Sequence, residues 1–341
     1  MTTISSDSEL PPIRTTGIGS WPGTDVMDAI KIAFAECPDL PYLPELPARG
    51  PYAQLIGRST AFLAGLAVDL QPAGWRLTDA SSREHRLAIS TLRSDLDKLE
   101  EHAQGFAGTV KLSVAGPWTL AAMMERPRGD RVLADSGARR DLGQSLAEGI
   151  AQLVAELIRR LPDVELLVQL DEPMLPSVLG GTIANASGLS RHRAIEPSEV
   201  SGVLIQTRER LAPTPVAVHC CAADPPIELL RLAGVAGVLL DIDQLSSLDW
   251  DAIAVTLEAG QWIGMGALPT DRTPTSHQLS PDQVARRVLG PLHELGLEPP
   301  VAASIMITPA CGLASATRDD AVAALRTLRS AAQIVTEQLA G

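Results

Sequence analysis

Eight short apolar runs, rich in valine, isoleucine and leucine, alternate along this chain with longer segments whose apolar residues recur every three or four positions. The short runs predict buried β-strands and the longer segments predict amphipathic helices. The predicted strands are 13–18, 41–46, 110–115, 165–170, 215–220, 237–243, 261–267 and 302–307. The predicted helices are 83–104, 140–161, 196–211, 226–233, 249–258, 280–295 and 317–338. This alternation predicts an α/β fold, a single (β/α)8 TIM barrel.

The N-terminal part of this pattern is less regular than the rest. The run 41–46 contains two prolines, which a central strand disfavours. Strands 1 and 2 are followed by long irregular stretches, which predict elaborated loops over the barrel mouth. Residues 1–12 are polar and contain prolines, so we expect a disordered lead-in. Because no linker divides the remainder, residues 13–341 are predicted to form one catalytic domain.

The composition narrows the possible partners and the compartment. The 341 residues carry a formal net charge of −13, which argues against nucleic acid and anionic membranes as partners. No run approaches the roughly 18 apolar residues of a transmembrane helix, and the N-terminus lacks a signal-peptide core. We therefore expect a cytoplasmic protein. In that compartment its four cysteines, two of them adjacent, indicate metal binding or catalysis rather than disulfides.

Residues with polar or chemically reactive groups cluster where the predicted strands end. In strand order they are Ile18, Gly19 and Ser20; Glu45; Trp118; Asp171 and Glu172; His219 and Cys221; Asp241 and Asp243; Asp271; and Cys311. The carboxyl ends of parallel barrel strands converge on one mouth, although they are far apart in sequence. The pattern therefore predicts one functional site at this mouth.

A thiolate metal site is predicted from His219, Cys221 and Cys311. Alternate residues of an extended segment face the same way, so His219 and Cys221 can bind one ion while Cys220 points elsewhere. Two thiolates and an imidazole form a donor set typical of zinc. Taken alone, the triplet has an alternative interpretation, a buried cysteine pair beside a hydrogen-bonded histidine.

The acidic residues and the glycine turn also have two interpretations each. Asp241 and Asp243 fall on one face of a buried strand, where carboxylates need a partner or a metal, unless Asp243 caps the next helix. Asp171 or Glu172 can bind a substrate ammonium, or can complement a helix dipole. The turn at Gly19 can hold a carboxylate with its N–H groups, or be an ordinary turn.

The chain resembles the C-terminal catalytic domain of cobalamin-independent methionine synthase, in the superfamily that also contains uroporphyrinogen decarboxylase. The matching stretches are TTGIGSWPGT, AGPWTL, QLDEP, HCC and PACGL, in the family's order. The zinc ligands that this resemblance implies are His219, Cys221, Cys311 and a carboxylate at Asp243 or Asp241. The implied homocysteine-binding residues are Ile18, Gly19 and Ser20 for the carboxylate and Glu45 and Asp171 for the ammonium. Trp118 lies in the segment where the family stacks its folate.

The chain departs from this family at the predicted proton donor. The family has a catalytic histidine after strand 7, whereas this chain has LPTDRTP there, with Asp271 as the nearest acid. Basic residues for a polyglutamate tail are not evident either. Because methyltetrahydrofolate needs protonation of its leaving amine, these departures favour a methyl-corrinoid over methyltetrahydrofolate as the methyl donor. Asp171 and Asp271 are the predicted catalytic residues.

The sequence therefore predicts a zinc-dependent methyltransferase that moves a methyl group to a thiol, homocysteine being the acceptor and methionine the product. Two other enzymes remain open, alkyl transfer to another thiol of the coenzyme M type and a metal-free decarboxylase. A third alternative is a non-catalytic homologue that binds homocysteine or zinc.

Overall fold

The structure, a computed structural model, describes residues 12–270 and 279–340. The strands within these ranges are β1 Arg14–Thr15, β2 Ala67–Gln71, β3 Gly74–Thr78, β4 Gly108–Ala115, β5 Val164–Asp171, β6 Val216–Cys220, β7 Gly237–Asp241, β8 Trp262–Leu268 and β9 Ile305–Pro309. Seven of them form one parallel sheet in the order β1-β9-β8-β7-β6-β5-β4, and β2 pairs with β3 in an antiparallel hairpin. The α/β fold with a parallel sheet is therefore confirmed.

Helices connect these strands, as the apolar periodicity predicts. They are α1 Val26–Glu36, α2 Leu55–Ser59, α3 Arg83–Ala103, α4 Pro117–Met123, α5 Ser136–Arg160, α6 Leu175–Leu179, α7 Pro197–Leu211, α8 Ile227–Leu232, α9 Ser247–Glu258, α10 Pro281–Leu295, α11 Pro299–Ala302 and α12 Arg318–Ala340. Helix starts follow local capping chemistry: the Ser82 side chain accepts from the His85 amide at α3, and Ser280 with Gln283 forms a capping box at α10. No helix in the described ranges is long and apolar enough to cross a membrane.

The sheet has two faces that differ in chemistry because side chains alternate along each strand. In β4, Val110, Leu112 and Val114 pack into the large core between sheet and helices. Lys111 and Ser113 occupy the alternate positions and are also fully buried. The concave inner face of the curled sheet therefore carries the polar residues of this strand.

The inner face is apolar near the amino ends of the strands and polar near their carboxyl ends. A small separate core is formed there by Ile18, Leu40, Leu167, Ala217, Leu239 and Met306. Two residues further along the strands, the inward positions become Gln169, His219, Asp241 and Thr308. The apolar layer thus forms the floor on which the polar residues of the candidate site rest.

The predicted second strand is not present as a strand. Residues 41–46 contact both neighbours through isolated parallel bridges, Tyr42 to Lys111 and Glu45 to Ser20. Proline has no N–H to donate, so Pro41 and Pro44 prevent a continuous ladder. The structure therefore shows a curled half-barrel of seven parallel strands, and a closed eight-stranded barrel is not confirmed. The hairpin β2–β3 occupies the stretch predicted as an elaborated loop, and residues 1–11 of the predicted lead-in lie outside the described ranges.

Candidate metal and substrate site

Three potential metal ligands meet at the carboxyl ends of β6 and β9. The ligand atoms of His219, Cys221 and Cys311 all lie within 4.8 Å of one another. The two Sγ atoms are 3.5 Å apart, and the His219 side chain is buried. Cys220, on the opposite face of β6, is fully buried. The structure thus brings together the three residues that the sequence pattern selected, whereas Cys220 lies on the opposite face of the strand.

Two glycines allow the Cys311 segment to approach this position. A Cβ on Gly266 of β8 would lie 2.7 Å from the Ala310 Cα, and a Cβ on Gly312 would lie 1.9 Å from the Ser20 Oγ. The Leu313 amide also donates to the Ser20 carbonyl at 2.9 Å. The loop that carries Cys311 therefore packs against the turn at residues 17–20. This contact places the candidate metal ligands beside the turn that was predicted to bind substrate.

The two thiols form an unequal pair. The Cys221 Sγ donates to the Cys311 Sγ, and this bond lowers the pKa of Cys311 to about 6 against the opposing effect of burial. The same bond, together with burial, raises the pKa of Cys221. Burial is the largest influence on His219 and works to lower its pKa, but the hydrogen bond with Asp171 and the charges of Asp171 and Cys311 together outweigh burial and raise the pKa. Each of the three donors is therefore tuned by the others or by Asp171.

Asp171 connects the histidine to the interior of the sheet. Its Oδ1 lies 2.9 Å from the His219 Nδ1 and accepts from the Gln169 Nε2 at 2.7 Å. Gln169 also donates to the Ile18 carbonyl at 2.9 Å and accepts from the Lys111 ammonium. Both of these bonds use Oδ1 of Asp171, and neither uses Oδ2.

Lys111 holds the turn at residues 17–20 from beneath. Its Nζ, fully buried, donates to the Gly17 carbonyl at 2.6 Å and to the Ile18 carbonyl at 2.9 Å. The Ser113 hydroxyl donates to the same Ile18 oxygen at 2.9 Å. Burial lowers the pKa of Lys111 to about 8. These bonds orient the carbonyls of the turn toward the sheet interior, a role that the sequence pattern did not reveal.

Glu45 lies beside this turn and is paired with a buried arginine. The Glu45 amide donates to the Gly19 carbonyl at 3.0 Å, and the Trp21 amide donates to the Glu45 carbonyl at 2.8 Å. The Glu45 Oε1 accepts from the Arg58 Nη1 at 3.1 Å. Burial raises the pKa of Glu45 to about 7, although the Arg58 charge opposes that rise. The structure thus places Glu45 next to the predicted carboxylate-binding turn.

The Glu172 side chain is engaged with residues 118 and 119 at the start of α4, although the Glu172 amide donates to the His219 carbonyl at 2.8 Å. The Glu172 carboxylate accepts from the amides of Trp118 and Thr119 at 2.9 and 2.7 Å and from the Thr119 hydroxyl. It therefore complements the N-terminus of α4, as the alternative interpretation of this acid holds. The Trp118 ring is only 1% exposed and donates to the Val200 carbonyl at 3.3 Å. Its stacking on a methyl donor remains a prediction, and it would require another side-chain position.

Neither candidate for the fourth metal ligand, Asp243 or Asp241, belongs to the group of converging ligand atoms. Asp243 follows β7, and its Oδ1 is 2.5 Å from the Arg287 Nη2. Asp241 is half-buried, accepts from the Asp243 amide at 3.0 Å, and has its pKa raised by burial. A fourth ligand at Asp243 or Asp241 therefore remains a prediction. Asp271, the predicted acid, lies outside the described residues.

Residues 13–334 match the family described as "Cobalamin-independent synthase, Catalytic domain". The chain therefore belongs to the family of cobalamin-independent synthase catalytic domains, which places it with the methionine synthases among the methyltransferases. No curated protein sequence matches it.

Solved structures support the same fold. A B12-independent methionine synthase from Shewanella sp. W3-18-1, solved in complex with selenomethionine, has a TM-score of 0.64 and 13% sequence identity. That alignment covers 96% of this chain and 99% of the other. A methylaspartate ammonia lyase from Clostridium tetanomorphum aligns over 96% of this chain and 61% of its own, with 13% identity and a TM-score of 0.45. The first similarity is a similarity of fold, and the second is too weak to support any inference.

Proposed function

We propose that this protein is a zinc-dependent methyltransferase that transfers a methyl group to the thiol of homocysteine to give methionine. The observation that carries this proposal is the convergence of His219, Cys221 and Cys311 next to the turn at Ser20, in a member of the cobalamin-independent synthase family. We further propose that the curled sheet corresponds to a (β/α)8 barrel in which residues 41–46 stand in place of the second strand.

The chemistry of the three donors fits zinc. Two Zn–S bonds of about 2.3 Å at a tetrahedral angle separate their sulfurs by about 3.8 Å, close to the 3.5 Å between Cys221 and Cys311. With His219 Nδ1 hydrogen-bonded to Asp171, the proposed ligand atom is Nε2, which lies 3.5 Å from the Ala310 carbonyl oxygen; this use of the two ring nitrogens is common around protein-bound zinc. Asp243 is proposed as the fourth ligand, which requires its carboxylate to leave Arg287; Asp241 is the alternative.

The residues around the cluster have separate tasks in the proposed reaction. The turn at Ile18, Gly19 and Ser20 binds the homocysteine carboxylate, and Glu45 and Asp171 bind its ammonium. These contacts aim the substrate sulfur at the metal ligands and hold it in line with the incoming methyl group. When bound, zinc lowers the pKa of a thiol so that the thiolate is present at neutral pH.

The methyl donor is proposed to be a methyl-corrinoid, because the chain has no histidine at the position where the family keeps its proton donor. A corrinoid leaving group needs no proton, whereas methyltetrahydrofolate requires an acid such as Asp271. A steady-state assay with homocysteine and each donor in turn distinguishes these cases. Methionine formation from methyltetrahydrofolate that is lost in Asp271→Asn would overturn the choice of donor.

The metal and the acceptor are tested without turnover. Elemental analysis is expected to give about one zinc per chain, and X-ray absorption is expected to show two sulfur neighbours near 2.3 Å. Addition of homocysteine should raise the sulfur count to three. A metal-free protein after purification and zinc dialysis, or a sulfur count unchanged by homocysteine, contradicts the proposed function.

A further inference from the structure

Arg58, near the end of α2, is a buried cation for which the proposed reaction has no task. It is only 3% exposed, and its Nη1 donates both to the Glu45 Oε1 at 3.1 Å and to the Ser113 carbonyl at 2.6 Å. Its guanidinium carbon lies 5.6 Å from the centre of the Phe62 ring. Among the described residues, its Nε and Nη2 atoms are buried without a hydrogen-bond partner. A buried charge is costly unless it is paired, so the contact with Glu45 is what stabilises Arg58 there.

We propose that Arg58 is a positioning residue that favours the ionised carboxylate of Glu45, with Oε1 engaged and Oε2 presented to the ammonium of the acceptor. This role rests on the proposed function, since it assigns the acceptor an α-amino group. Arg58 acts through Glu45 rather than by contact with the ligand, because its own unpaired nitrogen atoms are enclosed in the protein interior.

The backbone around Glu45 supports a position for its carboxylate between Arg58 and the ammonium of the ligand. Glu45 lies in the segment 41–46, which is attached to its neighbours by isolated bridges rather than by a ladder. A Cβ on Gly19 would lie 3.5 Å from the Glu45 Cδ, so the carboxylate and the turn are in close contact. The carboxylate and the ammonium of one amino acid are separated by a single carbon atom. A ligand whose carboxylate is bound by the turn therefore brings its ammonium to Glu45.

The charges around Glu45 explain why a nearby cation is needed to favour its ionised form. The charged and titratable groups that face it are Arg58 from α2, Asp171 from β5, Lys111 from β4 and His219 from β6. Burial raises the pKa of Glu45 to about 7; Arg58 is the strongest opposing influence, and Asp171 adds to the rise. An opposite charge this close lowers a carboxyl pKa by about 1–3 units. Without Arg58, Glu45 would be largely protonated at neutral pH and would lose its attraction for an ammonium.

The test is a pH series of L-methionine binding to the full chain by calorimetry, between about pH 6 and 8.5, where the ligand stays zwitterionic. The proteins are the wild type, Arg58→Met and Arg58→Lys. Affinity in the wild type should rise as the pH passes through about 7, the pKa of Glu45. In Arg58→Met the midpoint should move up by at least about one pH unit, which weakens binding at pH 7 by roughly fivefold or more. Arg58→Lys, which keeps the charge, should restore a midpoint near that of the wild type.

A ligand without an ammonium separates this role from a merely structural one. Binding of 4-(methylthio)butanoate, the deaminated analogue of methionine, should be equal in all three proteins and should show no midpoint near pH 7. An unchanged midpoint in Arg58→Met, or an equal loss of both ligands at every pH, overturns the proposal. If Arg58→Met does not fold, as judged by circular dichroism, Arg58→Gln removes the charge while retaining a donor for Ser113, and it must meet the same criteria.

The two proposals fail in different ways. A wild-type protein that binds neither L-methionine nor L-homocysteine refutes the proposed acceptor, and the role of Arg58 with it. A wild-type protein that binds them, with an Arg58→Met midpoint equal to its own, refutes the role of Arg58 alone.

Discussion

Replacement of Cys221 by serine tests the metal site most directly, because Cys220 provides a matched control in the adjacent position. The Cys221 Sγ lies in the converging set with His219 and Cys311, whereas Cys220 is fully buried on the other face of β6. Both substitutions exchange one sulfur for one oxygen. They differ in which face of the strand is changed, so a difference in zinc binding reports on the geometry of the site.

The expected effect can be estimated from the number of ligands. Structural zinc sites with four ligands bind with about 10–16 kcal/mol at neutral pH. An equal division gives about 2.5–4 kcal/mol per ligand, which corresponds to a loss of roughly 10²–10³ in affinity when one ligand is removed. Cys221→Ser should therefore weaken zinc binding by this factor. Cys220→Ser should leave zinc affinity within about threefold of the wild type, because its side chain packs in the core and not toward the cluster.

Competition with a chromophoric zinc chelator measures both constants on the purified full chain. Thermal unfolding in excess chelator shows whether either substitution disturbs the fold independently of the metal. Equal loss of zinc from the two variants would refute the assignment of Cys221. So would wild-type affinity in Cys221→Ser.

Two further substitutions address the surroundings of this cluster. Asp171→Asn removes the carboxylate that accepts from His219 and should lower zinc affinity about 10–100-fold, measured by the same competition; an unchanged affinity would exclude this orienting role. It should also weaken homocysteine binding by about 2–4 kcal/mol, since the substrate ammonium loses a buried partner. Gly312→Ala places a Cβ 1.9 Å from the Ser20 hydroxyl and should weaken L-methionine binding at least about tenfold by calorimetry, a cost of about 1.4 kcal/mol from displacement of the turn. Gly290→Ala, a glycine with open space around its Cβ position, is the control and should bind as the wild type does.

Much of the fold was predictable because each strand of a buried parallel sheet is a short run of apolar residues in the sequence. The predicted 110–115, 165–170 and 215–220 coincide with β4, β5 and β6 to within two residues at each end. The run 41–46 was predicted as a strand because its apolar residues alternate. Its prolines lack the N–H groups that a ladder requires, and this local chemistry prevailed over the pattern. The hairpin β2–β3 was missed because it lies in a stretch that had been predicted as irregular.

The sequence identified site residues only where the residue type is uncommon and chemically distinctive. Cysteine and histidine at strand ends stand out in any sequence, so His219, Cys221 and Cys311 could be selected without a structure. Lys111 and Gln169 were missed because each is a polar residue within an otherwise mostly apolar strand, before the strand's carboxyl end. Their inward direction follows from alternation, and a buried Lys with its neighbour Ser113 on the same face was the available signal. Arg58 gave no such signal, because its contact with Glu45 depends on how the loop after residue 46 folds back.

Four buried charged side chains surround the turn at residues 17–20, next to the polar layer described above. Among them, the cations Lys111 and Arg58 are equal in number to the carboxylates Asp171 and Glu45. A zwitterionic amino acid is neutral as well, so its entry exchanges partners inside a neutral set and buries no net charge. An acceptor with an extra negative group, such as a second carboxylate, would break this neutrality. For the proposed amino-acid acceptor, this balance is expected to favour a ligand with zero net charge.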